Sequence, residues 1–205
     1  MTPFTVLQVC MGNICRSPMA ERLLVAAARA RTGPAVDEVL HVHGAGTGGW
    51  HVGQSMDPGA ARQVLARGGD VAGFRARKLS GEHIDASDLI LTATAEQVDF
   101  VLGLRPDAVD RTFVLGEFGR LLSGVDVSTL PSGSSAGNSA GNIDADSVYA
   151  RGVALVAAVA AARAGKPPEP GDDLDDPWGR GDKIFSRVAD EVESTVKPLA
   201  AALLG

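Results

Sequence analysis

The sequence predicts a single-domain α/β protein built on a parallel sheet of four strands. Four short apolar runs of β-prone residues alternate along the chain with helical patterns, which is typical of βα units on a parallel sheet. The chain has 205 residues, of which 45% are hydrophobic, and this is enough to bury one core. The predicted domain therefore covers residues 1–205.

The four strands are expected where the β-prone runs occur, at Thr5 to Val9, Val39 to Val42, Asp88 to Thr92 and Arg111 to Leu115. After the first strand, Ser17 is expected to cap a helix with Pro18 in its first position. Further helical patterns cover residues 58–66, 95–102, 117–122, 146–164 and 182–204. The last of these has an apolar stripe that predicts packing against the sheet.

Two stretches have the composition of loops. Residues 132–142 read SGSSAGNSAGN, which cannot bury apolar surface and predicts a flexible segment. Residues 166–176 are rich in Pro, Gly and Asp, which favours a loop without regular structure.

Composition excludes several classes of function. A formal net charge of −6 argues against a nucleic-acid-binding protein, which would carry a basic face. The start of the chain has no signal-peptide pattern, and the most apolar run, residues 153–162, is about half the ~20 residues of a membrane span. We therefore expect a cytoplasmic protein without a membrane span.

Both cysteines of the chain lie in one short stretch, Val9 to Leu24, which reads VCMGNICRSPMAERLL. Two cysteines in a cytosolic chain, with no Cys-x-x-Cys pair and only four scattered histidines, predict neither a disulfide framework nor a metal site. The role of the two thiols must therefore be sought in the loop that contains them.

The loop from Cys10 to Arg16 has the residues of an anion site. It must curl tightly between a strand and a helix, and Gly12 and Asn13 tolerate the left-handed backbone that such a curl needs. Amides in such a curl, closed by a helix N-terminus, form a cradle suited to phosphate. Arg16 adds a fork of donors that can grip two phosphate oxygens.

The same positive surroundings favour the thiolate form of Cys10, which makes it a candidate nucleophile. Ser17 is positioned to donate a hydrogen bond to its sulfur. Together these residues predict a Cys-x5-Arg loop that carries out in-line phosphoryl transfer to sulfur.

These residues resemble the low-molecular-weight protein tyrosine phosphatase family, whose loop VCxGNICRSPxAE is reproduced from Val9 to Glu21. The resemblance continues through GAGTGGWHVG at 44–53, FRARKLS at 74–80, DLILT at 88–92 and DDPWG at 175–179. It implies a sheet with helices on both faces and no cofactor. It also implies a tyrosine-phosphorylated protein or a small aryl phosphate as substrate, and inorganic phosphate as product.

The resemblance assigns roles in the 10–16 loop. Cys10 is the implied nucleophile and Arg16 the transition-state clamp, while Asn13 and Ser17 order the loop and the thiolate. The residues implied to bind phosphate are Met11, Gly12, Asn13, Ile14, Cys15 and Arg16.

A phenolate leaving group needs a proton, and a thiophosphate intermediate then needs a base to activate water; one carboxylic acid can serve both steps. The candidates are crowded into GDDLDDPWG at 171–179. Resemblance to the family's Asp-Pro-aromatic motif selects Asp176, while Asp172 and Asp173 are expected to be solvated. Trp178 replaces a tyrosine of that motif, and Trp178 and Trp50 are expected to wall the substrate pocket.

Several alternatives remain open. Residues 44–49 formally satisfy G-x-G-x-x-G, but no helix pattern opens at the third glycine, as a dinucleotide site would need. Arsenate reductases use a similar loop, and here only a route through an external thiol is possible because no further cysteine follows. Relatives that hydrolyse phosphoarginine carry threonine where Ile14 stands, and an apolar Ile14 favours an aryl ring. A catalytically silent phosphate-binding module is the last alternative.

The resemblance assigns no single role to two features of the chain. Compact family members lack an insertion that this chain places at about residues 118–171, before the acidic loop. Cys15 either packs under the loop or forms a reversible disulfide with oxidised Cys10, which would protect the reactive thiol.

Overall fold

The computed structural model describes residues 2–133 and 143–205, and its centre is a parallel sheet of four strands. The strands are β1 (Phe4–Cys10), β2 (Leu40–Gly46), β3 (Leu89–Thr92) and β4 (Thr112–Val114). Their order across the sheet is β2-β1-β3-β4, with every neighbouring pair parallel. The predicted α/β class is confirmed.

Helices connect the strands and follow the last of them. In chain order they are α1 (Arg16–Thr32), α2 (Val36–Val39), α3 (Pro58–Ala66), α4 (Gly81–Asp85), α5 (Ala95–Leu104), α6 (Leu115–Leu122), α7 (Ala145–Arg163) and α8 (Asp182–Leu204). Three 3-10 turns lie at Gly33–Ala35, Pro106–Arg111 and Val127–Thr129. The predicted helices are all present, whereas the short α2 and α4 were not predicted from the sequence.

Two predicted boundaries are wrong for physical reasons. Helix α1 begins at Arg16 with Cys15 at its N-cap position, because the Ser17 hydroxyl is used elsewhere and does not cap the helix. Strand β2 continues to Gly46, beyond the predicted end at Val42. Its last residues include two glycines, which are poor strand formers but are held by pairing with β1 along its whole length.

The sheet is covered on both faces. Alternate residues of β1 point to opposite sides: Phe4 and Val6 belong to one hydrophobic cluster, and Leu7 and Val9 belong to another. The larger cluster joins the sheet to residues of α1, α3, α6, α7 and α8, and the smaller one joins it to residues of α4 and α5. The four parallel strands are therefore buried on both sides, as parallel sheets require.

The region predicted as an insertion, residues 118–171, contains helix α7. This helix buries Val148, Leu155 and Val159 and contacts α8 and β1. Among the described residues α7 is the one helix long and apolar enough to cross a membrane by length and composition, which is weak evidence because the core helix of a globular protein passes the same test. Most of the segment predicted to be flexible, residues 134–142, lies outside the described residues.

The carboxyl ends of the strands meet at one edge of the sheet, and three chain segments gather there. The 10–16 loop follows β1, a long loop of residues 47–57 follows β2, and Ala93 follows β3. The acidic stretch 172–176 joins them through a hydrogen bond from the Leu174 amide to the Ala93 carbonyl, 2.8 Å long. This edge of the sheet therefore holds the residues that the sequence analysis selected.

Candidate active site

A cavity of about 410 Å³ opens at the carboxyl edge of the sheet. Its lining includes most of the predicted site residues, namely Cys10, Met11, Gly12, Ile14, Cys15, Arg16, Trp50, Asp176 and Trp178. It also includes His51, which the sequence analysis did not select. Asn13 and Ser17, predicted as supporting residues, are buried in the loop that forms the cavity floor.

Three carbonyl groups of the 10–16 loop accept hydrogen bonds from the loop of residues 47–57. The Cys10 and Met11 carbonyls accept hydrogen bonds from Thr47 and Gly48, 3.0 and 2.9 Å long, and the Ile14 carbonyl accepts one of 2.9 Å from Asp57. In a trans peptide the N–H points opposite to the C=O. The amides that follow these carbonyls are therefore directed toward the inside of the curl, where they can bind an anion.

Asn13 fixes the curl of the loop. Its φ of 53° lies in the left-handed region, which asparagine tolerates better than most residues. Its side chain is fully buried, with Nδ2 donating to Ser17 Oγ at 2.9 Å and Oδ1 accepting from the Arg77 amide at 2.9 Å. The polar side chain is satisfied at both ends, so the strained backbone is held in place.

Two donors converge on the sulfur of Cys10. The Asn13 amide donates to Sγ at 3.3 Å, and Ser17 Oγ lies 3.0 Å from Sγ. Ser17 Oγ already accepts the Asn13 Nδ2 hydrogen, so its own proton is available for the sulfur. Both contacts fix the position of the Cys10 sulfur.

Arg16 lies beneath the cavity wall and is 5% exposed. Its guanidinium donates to the Leu174 carbonyl through Nη1 at 3.3 Å and to Asp176 Oδ2 through Nη2 at 2.9 Å. Its Nε is buried and has no partner among the described residues. A buried donor without a partner points to a ligand oxygen, so the residue fits an anion in the cavity.

The four aspartates of the acidic stretch have four different surroundings. Asp172 is buried rather than solvated, which corrects the prediction, and it pairs with both branches of the Arg120 guanidinium at 3.0 and 2.7 Å. Burial raises the pKa of Asp172, but Arg120 and the Glu169 amide outweigh burial and hold that pKa below its usual range. Asp173 accepts a hydrogen bond from the Ala95 amide at 2.8 Å.

Asp175 and Asp176 are adjacent in the sequence, but their carboxylates have different partners. Asp175 pairs with Arg187 and Arg180, and the hydrogen bond from Arg187 is the largest cause that lowers the pKa of Asp175. Asp176 lines the cavity and pairs with Arg16. Of the four aspartates, only Asp176 belongs to the cavity lining.

Two largely exposed tryptophans line the cavity. Trp50 and Trp178 are 70% and 62% exposed, which is unusual for such large apolar side chains. His51 lies between the Trp50 loop and the floor, with its Nδ1 2.8 Å from Gln54 Oε1. The cavity therefore combines an anion-binding floor with an aromatic entrance.

Cys15 also lines the cavity, and both cysteines are free and buried. Burial raises the pKa of the Cys15 thiol, and the neighbouring Asp57 adds to that effect. The Cys15 thiol therefore stays protonated.

The glycines of β2 are functional residues that sequence reasoning missed. A Cβ on Gly46 would stand 2.7 Å from the Met11 carbonyl oxygen and 3.0 Å from the Asn13 nitrogen. A Cβ on Gly44 would stand 2.8 Å from Asn13 Nδ2. These glycines allow the close approach of the 10–16 loop. The next helix after them starts at Pro58, so no helix N-terminus follows the third glycine as a dinucleotide-binding motif would need. Glycine inside a strand is the sequence signal for such an approach.

Comparison with known proteins finds a family match and several relatives. The family model described as "Low molecular weight phosphotyrosine protein phosphatase" matches residues 5–128 of the chain. The chain is similar to "Low molecular weight protein-tyrosine phosphatase A" of Mycobacterium tuberculosis, with 43% identity over 89 residues that cover 43% of this chain and 52% of the relative. The chain thus spans about half the length of this relative.

Two further similarities extend the match. The "Protein-arginine-phosphatase" of Geobacillus stearothermophilus is 36% identical over 124 residues, which cover 60% of this chain and 75% of the relative. The crystal structure of YfkJ from Bacillus subtilis superimposes with a TM-score of 0.65 at 20% identity, covering 98% of this chain and 94% of that one. The second similarity concerns the fold alone.

We predict that Gly46→Ala lowers the affinity of the cavity for phosphate by roughly tenfold or more, because displacements of about 1 Å in such a site have large effects. The new methyl group must push the backbone of the 10–16 loop away from β2. Protection of Cys10 from iodoacetamide by increasing inorganic phosphate measures that affinity.

The matched control is Gly103→Ala in α5, since a Cβ at Gly103 meets nothing within 4 Å. This variant should show the affinity of the unmodified protein. Equal protection of Cys10 in the Gly46→Ala and Gly103→Ala variants would show that the close approach of β2 does not shape the anion site.

Proposed function

The chain belongs to the low molecular weight phosphotyrosine protein phosphatase family, and on that premise we propose that it is a cysteine-dependent phosphatase of aryl phosphate monoesters such as phosphotyrosine. The observation that carries the proposal is that one cavity contains the Cys10 sulfur, Arg16 and the Asp176 carboxylate. A nucleophile, an oxyanion clamp and a proton donor are what two-step phosphoryl transfer requires.

In the first proposed step, the Cys10 thiolate attacks phosphorus in line with the leaving oxygen. The Sγ–P bond forms as the P–O bond to the aryl group breaks. The loop amides and Arg16 bind the equatorial oxygens, where charge is greatest in the transition state. Asp176, in its protonated form, gives its proton to the departing phenolate.

In the second proposed step, the Asp176 carboxylate takes a proton from a water molecule. That water attacks phosphorus, the O–P bond forms, and the Sγ–P bond breaks. Inorganic phosphate leaves and the Cys10 thiolate is restored. The hydrogen bonds from Asn13 and Ser17 to the sulfur make the thiolate a better leaving group in this step.

The pairing of Arg16 with Asp176 links substrate binding to the position of Asp176. In the structure Arg16 Nη2 lies 2.9 Å from Asp176 Oδ2. A phosphate dianion competes for the same Arg16 donors. Within this proposal, substrate binding therefore releases Asp176 from Arg16.

The entrance of the cavity supports an aryl substrate. Trp50 and Trp178 offer two exposed aromatic rings, and aromatic rings stack favourably on a phenol ring. Ile14 lines the floor with an apolar side chain and no hydroxyl for a guanidinium. Phosphoarginine is the second candidate substrate, supported by the similarity to a protein-arginine-phosphatase, and turnover of phosphotyrosine and phosphoarginine peptides separates the two.

We predict that the protein hydrolyses p-nitrophenyl phosphate without added metal and that Cys10→Ser lowers kcat by on the order of 10⁴-fold or more, as loss of a catalytic nucleophile does. The serine variant keeps the amides and Arg16, so it should still bind phosphate. Release of p-nitrophenol, with vanadate as inhibitor, measures the first effect, and phosphate titration of the variant measures the second.

Retained turnover by Cys10→Ser would contradict the nucleophile assignment. A folded wild-type protein that binds phosphate but releases no p-nitrophenol would favour an arsenate reductase that uses an external thiol, or a silent binding module. Arsenate-dependent oxidation of an added thiol separates those two alternatives.

We predict that Asp176→Asn slows hydrolysis of phenyl phosphate by about 10²-fold, because phenolate is a poor leaving group and general acid catalysis contributes that much or more. Hydrolysis of p-nitrophenyl phosphate should slow much less, since p-nitrophenolate leaves without a proton. The ratio of kcat for the two substrates is the measurement.

Asp175→Asn is the matched control, because Asp175 is the adjacent carboxylate but pairs with Arg180 and Arg187. This variant should leave the ratio unchanged. A larger leaving-group effect in Asp175→Asn than in Asp176→Asn would show that the wrong carboxylate has been chosen.

Within this proposal Cys15 is the thiol that resolves oxidised Cys10. Peroxide converts the Cys10 thiolate to a sulfenic acid, and the Cys15 thiol displaces water to form a disulfide that an added dithiol reduces. We predict that peroxide-treated wild type regains activity with dithiothreitol and that Cys15→Ala regains much less, because its sulfenic acid is oxidised further. Equal recovery of the two proteins would leave Cys15 with a packing role alone.

A further inference from the structure

A strip of three positive side chains runs beside the cavity. We call Arg75, Arg77 and Lys78 the basic strip; all three side chains are exposed, while the intervening Ala76 and the flanking Phe74 are buried. The alternation anchors the backbone and directs the charged side chains outward. The backbone of the basic strip is therefore anchored to the core by Phe74 and Ala76.

The basic strip forms no ion pair among the described residues, although the positive charge of Arg77 acts on the buried Glu21 carboxyl. Among the described residues none of the three has a carboxylate within 4.0 Å. The Arg75 guanidinium donates only to the Phe74 carbonyl at 2.7 Å and to Ser55 Oγ at 3.5 Å. In a chain with a net charge of −6, three adjacent cations without a carboxylate at ion-pair distance make a local positive patch.

The backbone of the strip is bonded to the loops that form the cavity. The Gly46 amide donates to the Arg77 carbonyl at 2.8 Å, and the Gly53 amide donates to the Ala76 carbonyl at 2.9 Å. The Arg77 amide donates to Asn13 Oδ1. The strip is thus held between the 10–16 loop and the loop that carries Trp50.

Lys78 extends along the same loop. Its Cδ lies 3.4 Å from the position of a Cβ on Gly49, the residue before Trp50. The Lys78 side chain therefore lies against the residue that precedes Trp50.

The charges near Trp178 are paired, in contrast to the basic strip. Asp175 is engaged by Arg180 and Arg187, and Asp176 is engaged by Arg16. Positive charge without an ion-pair partner therefore lies beside the Trp50 loop and not beside these aspartates. Such an uneven charge distribution discriminates between peptides by the charge of the residues that flank the reacting group.

We propose that the basic strip docks an acidic peptide segment of the substrate, so that the preferred substrates carry Asp or Glu on the flank of the phosphorylated residue that crosses Trp50. The proposal rests on the phosphatase function proposed above and narrows its substrate class. The phosphorylated side chain fills the cavity while the flanking carboxylates pair with Arg75 and Lys78. An anionic membrane fits less well, because the net negative charge of the chain opposes approach to such a surface.

The test compares three substrates on two double variants. The substrates are p-nitrophenyl phosphate, a phosphotyrosine peptide with acidic flanks and one with neutral flanks. The variants are Arg75→Gln with Lys78→Gln, and a matched control of Arg31→Gln with Lys166→Gln.

The control residues Arg31 and Lys166 are also exposed cations without a described carboxylate partner. Arg31 lies at the end of α1 that is about 20 Å from the 10–16 loop at 1.5 Å per residue.

The expected result is a loss confined to one substrate. For the strip variant, kcat/KM for the acidic peptide should fall roughly threefold per lost ion pair, or about tenfold in all. Values for p-nitrophenyl phosphate and the neutral peptide should stay unchanged, as should all three values for the control variant. The acidic peptide should also lose its advantage over the neutral one as salt is raised.

Three results would overturn the docking proposal. One is equal kcat/KM of the two peptides in the wild type, and another is an equal loss on p-nitrophenyl phosphate, which would mean that the strip supports the cavity itself. The third is binding to phosphatidylglycerol vesicles that the strip variant loses while peptide preference stays the same. Absence of p-nitrophenyl phosphate turnover in the wild type would instead refute the phosphatase function.

Discussion

The fully buried side chain of Asn13 is the constraint on which the rest of the site depends. A left-handed backbone costs roughly 1–2 kcal/mol for an ordinary residue, and asparagine tolerates it better than most. The hydrogen bonds of Asn13 to Ser17 and the Arg77 amide offset that cost. The resulting turn places the Asn13 amide on the Cys10 sulfur. One side chain thus connects the loop, the start of α1 and the strip that follows Phe74.

Parallel topology explains why the separate parts of the site meet. The carboxyl ends of β1, β2 and β3 lie at one edge of the sheet, where ligand sites of open α/β sheets are found. The glycine-rich end of β2 allows the 10–16 loop to lie directly against the sheet edge. The loop is therefore supported by backbone on two sides, and its amides keep their direction.

The acidic stretch is positioned by ion pairs and hydrogen bonds rather than by regular structure. Asp172 is held by Arg120 on α6, Asp173 by the Ala95 amide, and the Leu174 amide by the Ala93 carbonyl. These three attachments leave Asp176 as the carboxylate in the cavity lining. The neighbouring aspartates thus act as anchors, which explains why a run of similar residues contains only one candidate for proton transfer.

The sequence by itself determined the α/β class, most helix and strand positions, and the 10–16 loop, because these depend on local periodicity and on residues close together in the chain. The sequence also selected Asp176 as the proton donor, but only through resemblance to a family. Four aspartates in one run are chemically alike, so their composition does not say which one donates the proton. Only the tertiary structure decided that Ser17 contacts the Cys10 sulfur instead of capping α1, that Asp172 is buried against Arg120, and that Gly46 lies under the loop. These outcomes depend on contacts between segments distant in sequence, and no local pattern specifies which of several similar polar groups finds its partner.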